Sequence, residues 1–376
     1  MKIVISRNTS WSLFNFHSGL IKALSEYGFE VLVLCPEDEY TSSLSLLGCR
    51  FIPLQMDNAK MNPLKDFLLF WRYLMIFGKE RPDIYLAYTI KPNIYGSVAA
   101  HLLNVPVINN VTGLGSTFIQ GGWLGRFVGM LYRLSFYKSR KVFFQNEDDR
   151  GFFLDSGLVS GEVAERLPGS GIDLDKFSAA PMPDNLKMHF LFIGRMLRDK
   201  GVYEFIEAAR LLKKRGIKAE YWLLGFLKVD NPTAISKQEI REWLEEGIIR
   251  YLGSSDDVRD HIESVDCVVL PSYREGVPRT LLEAAGMMRP IIASDVAGCR
   301  DVVDDGVNGF LCRPRDAEDL ADKMQKMEAL SASEREVMGV KGREKVEREF
   351  DQKIVIEKYF KAIFDIFKYG IVSKKG

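Results

Sequence analysis

The sequence predicts two α/β domains, each built on a parallel sheet with helices on both faces. Short apolar runs typical of strands alternate with amphipathic helical segments in both halves of the chain. The length of 376 residues exceeds what one hydrophobic core ordinarily supports. The alternation stops at a Gly- and Pro-rich segment and then restarts. We therefore expect a first domain at 1–170, a linker at 171–187, a second domain at 188–352, and a C-terminal helix at 353–376 that packs back on the first domain.

The first half begins with three predicted strands, Lys2–Ser6, Glu30–Cys35 and Arg50–Pro53. A helix joins the first two strands and ends at Gly28. In parallel sheets, ligands bind beyond the carboxyl ends of the strands. The loops predicted at such ends run over residues 7–16, 87–93 and 110–116.

Two stretches of the first half are unusually apolar. Residues 67–77 are apolar nearly all round, and residues 121–136 mix aromatic side chains with Arg126 and Arg133. Basic and aromatic residues together suit a helix that lies on an anionic bilayer. We favour this interpretation for the second stretch more than for the first. A core helix flanked by charges remains the alternative for both.

Composition limits the possible compartments and partners. The formal net charge is zero, which argues against a general nucleic-acid-binding protein. Five scattered cysteines show neither metal-ligand nor disulfide spacing, as expected in a reducing cytoplasm. Residues 1–5 are predicted to form a strand rather than a signal peptide. No run of about 20 apolar residues predicts a transmembrane helix, so we expect a cytoplasmic protein.

The most informative stretch follows a predicted buried strand at Cys267–Leu270. A turn contains Glu275 and Gly276, a helix is expected to begin near Pro278, and a further strand covers 291–293. A helix N-terminus favours phosphate, and glycine allows a ligand to approach the backbone closely. Carboxylates on either side of such a terminus, Glu275 and Glu283, could hold the hydroxyl groups of a nucleotide sugar. The alternative is an ordinary βα unit with two solvated glutamates.

Several segments together resemble glycosyltransferase family 4, whose fold is the two-domain GT-B architecture. The Gly194-Arg195 and Lys200-Gly201 pairs resemble its diphosphate-binding residues, and Glu275 with Glu283 resembles its glutamate-x7-glutamate signature. Further matching segments are Gly171 to Asp173 with Phe177, Tyr251 to Gly253, and Asp304 to Leu311, which resembles a family hairpin. The resemblance covers nearly the whole chain, and the combination is more specific than any one piece.

The resemblance implies a retaining glycosyltransferase that needs no metal or other cofactor. Glu275 would hold the donor sugar, Arg195 and Lys200 would stabilise the departing diphosphate, and Glu283 would hold ribose hydroxyls. The Asp173-Leu-Asp175 sequence lies in the predicted linker and is not expected to bind metal. The remaining residues expected at the donor site are Gly194, Gly253, Gly276, Val277, Pro278, Arg279 and Thr280.

The first half departs from the family pattern. The loop from Arg7 to His17 lacks the paired glycines of many relatives, and residues 110–113 contain no histidine. Thr112 and Gly113, with Gly115, are therefore expected to contact the donor through their backbone. Asn15 and His17 are candidates for contact with the acceptor, although His17 could equally be a helix-surface histidine.

Within the family, the chain resembles bacterial enzymes that extend lipid-linked oligosaccharides. One such type transfers N-acetylgalactosamine from its UDP derivative to a diphosphoundecaprenol-linked sugar. The implied partners are a UDP-sugar donor, a polyprenyl-diphosphate-linked glycan acceptor and an anionic membrane surface, at whose inner face the protein would sit. Residues expected to meet acceptor or membrane include Arg126, Arg133, Lys138 and Arg140. A soluble glycosyltransferase, a nucleotide-sugar epimerase and a non-catalytic binding protein of this fold remain alternatives.

Overall fold

The computed structural model describes residues 1–57, 62–113, 122–227, 231 and 233–373. By its internal contacts the chain divides into two compact units. Unit 1 comprises Met1–Ser170 together with Gln352–Gly376, and unit 2 comprises Gly171–Asp351. The segment predicted as a linker, 171–187, therefore falls within unit 2, and the C-terminal helix falls within unit 1.

Unit 1 contains a seven-stranded parallel sheet with the order β3-β2-β1-β4-β5-β6-β7. The strands are β1 (Lys2–Ser6), β2 (Glu30–Cys35), β3 (Arg50–Pro53), β4 (Ile84–Tyr88), β5 (Val107–Val111), β6 (Lys141–Phe144) and β7 (Ala164–Arg166). The helices are α1 (Ser10–Glu26), α2 (Thr41–Ser45), α3 (Pro63–Glu80), α4 (Ser97–Leu102), α5 (Gly122–Phe136), α6 (Glu147–Asp155) and the C-terminal helix (Gln352–Ser373). The sequence did not predict β7, because Ala-Glu-Arg carries no strand pattern.

The helices of unit 1 cover both faces of its sheet. One core cluster joins α1, α2 and the C-terminal helix, through residues such as Ile21, Leu44 and Ile363. Two other clusters join α3 to α6 to the opposite face, where Tyr73 and Phe153 are fully buried. This division follows from right-handed crossovers, because the chain moves one way from β1 to β3 and the other way from β4 to β7.

Unit 2 contains a six-stranded parallel sheet with the order β10-β9-β8-β11-β12-β13. Its strands are β8 (Met188–Ile193), β9 (Ala219–Leu224), β10 (Arg250–Tyr251), β11 (Cys267–Leu270), β12 (Ile291–Ser294) and β13 (Gly309–Cys312). Its helices are α7 (Val202–Lys214), α8 (Lys237–Glu245), α9 (Arg259–Glu263), α10 (Arg279–Gly286), α11 (Cys299–Val302), α12 (Ala317–Glu328) and α13 (Ala332–Glu349). Where the sequence predicted a hairpin at 304–311, residues 304–308 form a tight turn that a bridge between Asp305 and Gly309 closes. The chain then enters edge strand β13, which runs parallel to β12.

Arg289 explains why residues near 180 belong to unit 2. Its side chain is fully buried and donates to five backbone carbonyl groups. Two of these acceptors are Ala180, at 3.0 Å, and Pro181, at 2.7 Å. The others are Ile262, Glu263 and Met287. A guanidinium that satisfies five carbonyls compensates for its own burial and fixes this segment against α9 and α10.

Each sheet has one point where the strand order reverses. The reversal lies between β1 and β4 in unit 1 and between β8 and β11 in unit 2. At such a point the loops leave their strands in opposite directions and open a crevice at the carboxyl edge. The predicted class of two parallel-sheet α/β domains is confirmed, and it places a candidate site at the carboxyl edge of each sheet.

Candidate active site

The loops that follow β8 and β11 are joined directly at the switch point of unit 2. β8 and β11 are neighbours, with Phe192 opposite Val269. The Tyr273 N–H donates to the Asp199 carbonyl at 2.9 Å. Because one backbone bond links the two loops, the side chains that they carry are held together.

Lys200 and Glu275 form an ion pair across these two loops. The Ser272 hydroxyl donates to the same Glu275 oxygen, Oε1, at 2.7 Å. The side chains of Lys200 and Glu275 are only 20 % and 11 % exposed. Since an ammonium group has three donors, Lys200 could remain on Glu275 and still bind a phosphate. Sequence reasoning missed Ser272, whose only signal is its position three residues before Glu275.

Three glycines lie side by side at the carboxyl ends of β8, β9 and β10. The Gly225 N–H donates to the Gly253 carbonyl at 2.7 Å, and the Gly194 N–H donates to the Leu224 carbonyl at 3.0 Å. A Cβ on Gly225, whose φ is +157°, would overlap the Gly194 carbonyl oxygen. Side chains at these positions would obstruct the edge, so the glycines keep open backbone next to the candidate site.

Gly298 supports the turn that contains Glu275 and Gly276. Its φ is +76°, and a Cβ on it would overlap the Gly276 carbonyl oxygen. The loop after β12 therefore packs against this turn at backbone contact distance. The sequence indicates Gly298 only as a glycine shortly after a strand, so it is missing from the predicted site residues.

Helix α10 begins at the same edge. Its N-cap is Pro278, and no side chain caps it. The sequence placed Pro278 inside the first turn, whereas the helix begins one residue later. The Leu281 N–H donates to the Pro278 carbonyl at 3.1 Å. The terminus has the positive dipole end that favours an anion.

Glu283 lies one turn into α10 and pairs with Arg279, with Nε to Oε1 at 3.1 Å. Burial raises the pKa of the Glu283 carboxyl, and Arg279 opposes this shift. Arg279 also donates to the Gly171 carbonyl at 3.1 Å and lies over the Phe177 ring. Arg279 thus anchors the segment that begins unit 2 and orients Glu283.

The predicted residues of unit 2 therefore gather at one edge. Arg195 follows β8 directly, and its side chain is exposed. Val277 and Thr280 flank Pro278 and Arg279 and are half-buried. Asp173 accepts hydrogen bonds from the Asp175 and Lys176 amides at 3.1 and 3.0 Å, which is a local turn. Among the described residues, no group of three or more His, Cys, Asp or Glu side chains could hold a metal ion.

The carboxyl edge of unit 1 is built differently. Arg7, directly after β1, donates to His17 Nε2 and lies over the rings of Phe16 and Tyr88. His17 is 4 % exposed and packs on Tyr88, with centroids 4.3 Å apart, so it is not a surface histidine. Arginine has only donors, so His17 Nε2 is the acceptor in this contact. Asn15, in the same helix, is half-buried and donates to the Trp11 carbonyl at 3.0 Å.

Two buried asparagines on β5 organise the rest of this edge. Asn109 donates to Asn93 at 3.0 Å and to Ser97 at 2.8 Å, and it accepts from Ser139 at 2.6 Å. Asn110 projects to the other face and donates to the hydroxyl of Tyr359, in the C-terminal helix, at 3.0 Å. Thr112 and Gly113 follow and are half-buried. The predicted Gly115 contact lies outside the described residues.

The basic residues predicted to meet acceptor or membrane lie on or just after α5. Arg126, Arg133, Lys138 and Arg140 are all exposed. Lys141, which follows them, pairs instead with Glu165 at 2.9 Å. None of the helices in the described part of the chain combines the length and hydropathy needed to cross a bilayer.

Comparison with known proteins accounts for this arrangement. The family model "Glycosyl transferases group 1" matches residues 187–329, and "Glycosyl transferase 4-like" matches residues 2–146. The N,N'-diacetylbacillosaminyl-diphospho-undecaprenol alpha-1,3-N-acetylgalactosaminyltransferase of Campylobacter jejuni is 30 % identical over 98 % of this chain and 100 % of its own length. The chain belongs to glycosyltransferase family 4. It is a glycosyltransferase, as its motifs predicted.

Two further relatives are bacterial glycosyltransferases by name. The capsular polysaccharide biosynthesis glycosyltransferase CapM of Staphylococcus aureus is 24 % identical over 90 % of both chains. The UDP-Gal:alpha-D-GlcNAc-diphosphoundecaprenol alpha-1,3-galactosyltransferase of Escherichia coli is 25 % identical over 71 % of both chains.

Solved structures confirm the fold. Anabaena HepE in complex with UDP superposes with a TM-score of 0.79 at 16 % identity, over 97 % of this chain and 100 % of that one. Sucrose-phosphate synthase from Thermosynechococcus elongatus gives 0.80 at 17 % identity, over 98 % and 100 %. The predicted GT-B architecture of two Rossmann-like domains is therefore correct.

Proposed function

We propose that this glycosyltransferase moves an N-acetylhexosamine from a UDP-sugar to a polyprenyl-diphosphate-linked glycan, in the synthesis of a bacterial surface polysaccharide or glycoprotein glycan. The full-length relative from C. jejuni carries this proposal, because its name specifies both a sugar of this class and an acceptor of this class. The E. coli relative, named for a UDP-sugar donor and a diphosphoundecaprenol-linked acceptor, supports it.

The proposed donor site is the carboxyl edge of unit 2. Lys200 and Arg195 would neutralise the charge that develops on the diphosphate as the glycosidic bond breaks, and the N-terminus of α10 would add backbone donors. Gly194, Gly253 and Gly276 would let the nucleotide approach the backbone. Lys200, Arg195 and the N-terminus of α10 can together stabilise the leaving diphosphate without a metal ion, so we propose metal-independent transfer.

The two glutamates would hold the sugars at either end of the donor. Glu275, fixed by Lys200 and Ser272, would bind hydroxyls of the transferred sugar. Glu283, oriented by Arg279, would bind the ribose. Positioning and electrostatic stabilisation of an oxocarbenium-like state would then supply most of the catalysis. We propose that the product retains the anomeric configuration of the donor.

Unit 1 would receive the acceptor. Thr112 and Gly113 would reach the donor sugar through their backbone, and the edge that carries Asn15 and His17 would border the acceptor. The exposed basic residues of α5 would bind the acceptor diphosphate and anionic lipid at the inner face of the membrane. The protein would accordingly be peripheral to that membrane.

The first test is thermal stabilisation of the wild type and Glu283→Ala by UDP, GDP and ADP in EDTA. A nucleotide at about 100 times its dissociation constant adds about 2.7 kcal/mol of stability. We expect a shift with UDP that persists in EDTA and is weakened by Glu283→Ala. A shift with GDP or ADP alone would contradict the choice of nucleotide.

The second test measures transfer itself. Radiolabelled UDP-N-acetylhexosamines are incubated with a polyprenyl-diphosphate-linked N-acetylhexosamine, or with the free sugar as the matched control. We expect product only with the lipid-linked acceptor, and an anomeric carbon of unchanged configuration by NMR. Product with the free sugar alone would favour the soluble alternative, and epimerised donor without acceptor would favour an epimerase.

A further inference from the structure

The outward face of α3 carries a stripe of large apolar side chains. They recur every three or four residues, so they line one side of the helix along most of its length. Their exposed fractions lie between 52 % and 79 %. They are Leu64, Phe67, Leu68, Trp71 and Met75. The opposite side of α3 already packs in the core through Tyr73 and Phe77. Proteins rarely expose a contiguous apolar surface of this kind unless it binds something.

The apolar surface continues across two neighbouring helices. Helix α4 packs against both α3 and α5 on the same face of the sheet. The His101 ring bonds to the Ser135 carbonyl at 2.7 Å and fixes α4 to α5. Exposed apolar residues on α4 and α5 are Leu102, Phe127, Met130 and Leu134. We call these four residues and the α3 stripe the α3–α5 face.

Every exposed charge on these three helices is basic, as far as the structure describes them. The exposed cations are Lys65, Arg72 and Lys79 on α3, with Arg126 and Arg133 on α5. The two acids of α3 point away from solvent in ion pairs, Asp66 with Lys91 at 2.6 Å and Glu80 with Lys2 at 3.2 Å. Helices α4 and α5 contain no acidic residue in their sequence.

The charge pattern also has limits. Lys65 is neutralised locally by Asp57, which is 2.9 Å away and precedes α3. The next helix, α6, begins with exposed Glu147 and Asp148. The basic and apolar character therefore belongs to α3, α4 and α5, and it ends at α6.

We propose that the α3–α5 face docks on an anionic bilayer, with the α3 stripe inserted among the acyl chains and the basic residues of α5 at the headgroups. Aromatic and aliphatic anchors with a basic rim have the composition of helices that lie in a membrane interface. A second copy of the chain is a poorer occupant, because a two-fold contact would bring the basic rims together. This inference rests on the proposed function, since the lipid-linked acceptor would lie in such a bilayer.

The direction of the helices gives the docking a functional consequence. α3 follows the carboxyl end of β3 and α5 follows that of β5, so both helices begin at the edge that contains Thr112 and Gly113. Docking along these helices brings that edge to the headgroup region. The lipid diphosphate would then meet unit 1 without leaving the membrane.

Vesicle sedimentation of the full-length protein tests the docking. The probes are phosphatidylcholine vesicles with and without phosphatidylglycerol. We expect the variant Phe67→Ser/Trp71→Ser/Met75→Ser to lose ~10-fold or more of its partitioning, because three large apolar side chains no longer enter the bilayer. The control, Leu46→Ser/Leu186→Ser, removes even more exposed apolar residues outside the face and should bind as the wild type does. Unchanged partitioning of the triple variant would overturn the proposal.

Trp71 provides a second measurement on the native surface. The fluorescence difference between the wild type and Trp71→Phe isolates its signal from the other four tryptophans. We expect a blue shift with anionic vesicles and quenching by brominated acyl chains. Absence of both would overturn insertion even if the triple variant failed to fold. If the wild type is a dimer in vesicle-free solution and the triple variant is a monomer, the α3–α5 face binds a second copy of the chain instead of a membrane.

The charge variant Arg126→Gln/Arg133→Gln separates the two parts of the proposal. It should lose the preference for phosphatidylglycerol while Trp71 insertion persists.

The triple variant should still act on a short-chain, water-soluble diphosphate-linked acceptor. Wild-type protein that uses no lipid-linked acceptor would refute the proposed function, and the vesicle results would still decide the docking.

Discussion

The carboxyl edges of the two sheets occupy equivalent positions and differ in the chemistry that dominates them. At the edge of unit 2, ionised side chains meet in pairs, Lys200 with Glu275 and Arg279 with Glu283. At the edge of unit 1, buried amides and hydroxyls dominate, through Asn109, Asn110 and Tyr359. The edge of unit 2 therefore carries charged groups with donors to spare for a charged ligand, whereas the neutral network of unit 1 holds its own backbone in place.

The difference follows from the cost of burial. Charges that stay partly exposed can change partners when a diphosphate arrives, because solvent screens them meanwhile. Buried neutral groups stabilise the fold only when each finds a partner, and such networks become rigid. We infer that the carboxyl edge of unit 2 is suited to a charged ligand, and that the neutral network of unit 1 fixes the backbone of its own edge.

The largest expected effect is on the charged edge. Glu275→Gln keeps the shape of the side chain and removes its charge, so we expect turnover to fall ~100-fold or more, about 2.7 kcal/mol of barrier. Glu245→Gln, an exposed glutamate on α8, is the matched control in the same steady-state assay. Near-wild-type turnover in Glu275→Gln would show that Glu275 has no role in the mechanism. An equal loss of turnover in Tyr359→Phe would show that the two edges do not differ in their contribution to catalysis.

A smaller effect is expected on the neutral edge. Asn109→Ala removes the three buried hydrogen bonds that Asn109 makes with Asn93, Ser97 and Ser139, so we expect about 2 kcal/mol of local stability to be lost. Hydrogen exchange of the β5 amides should then accelerate ~30-fold. Asn15→Ala, which removes only one helix-surface bond, is the control. Unchanged exchange would mean that this network does not hold β5.

The smallest expected effect concerns Glu283 and pH. Burial raises the pKa of its carboxyl above the value in the unfolded chain, so the fold loses stability as pH rises from the unfolded pKa to the raised folded pKa, and the loss is complete above it. Glu283→Gln removes this cost and should be more stable than the wild type near about pH 8, with the gain shrinking as pH falls toward about 5. Melting temperatures across this range measure the gain, with Glu245→Gln as the control.

The same substitution should weaken UDP binding, so stability and affinity would move in opposite directions. A variant that gains stability and binds UDP as well as the wild type would mean that Glu283 does not hold the ribose. A pH-independent difference in melting temperature would instead contradict the raised pKa.

Local patterns were enough to predict several of the strands, and the family resemblance predicted the charged motifs. The strands at Lys2–Ser6 and Cys267–Leu270 match the structure residue for residue, because a buried parallel strand is a short apolar run. Glu275 and Lys200 are 75 residues apart, and the family resemblance associated them before their ion pair was known. The partners Ser272 and Gly298 carry no comparable signal.

Which side of a helix is buried and which is exposed was harder to predict. Residues 67–77 are apolar nearly all round, so periodicity could not separate a core helix from a surface helix. The structure shows that α3 is both, with Tyr73 buried and Trp71 exposed. Only the packing of α3 on the sheet decides which side remains uncovered.

The sequence by itself determined the α/β class, the alternation of elements and the charged groups of the donor edge, because these depend on contacts close in the chain or on motif spacing. Tertiary structure alone decided that Tyr359, from the C-terminal helix, bonds to Asn110, 249 residues away. It also decided that Arg289 binds the carbonyls near residue 180. Such long-range polar contacts produce no periodic pattern in the sequence, since each depends on a single residue that meets its partner only after the sheets have formed.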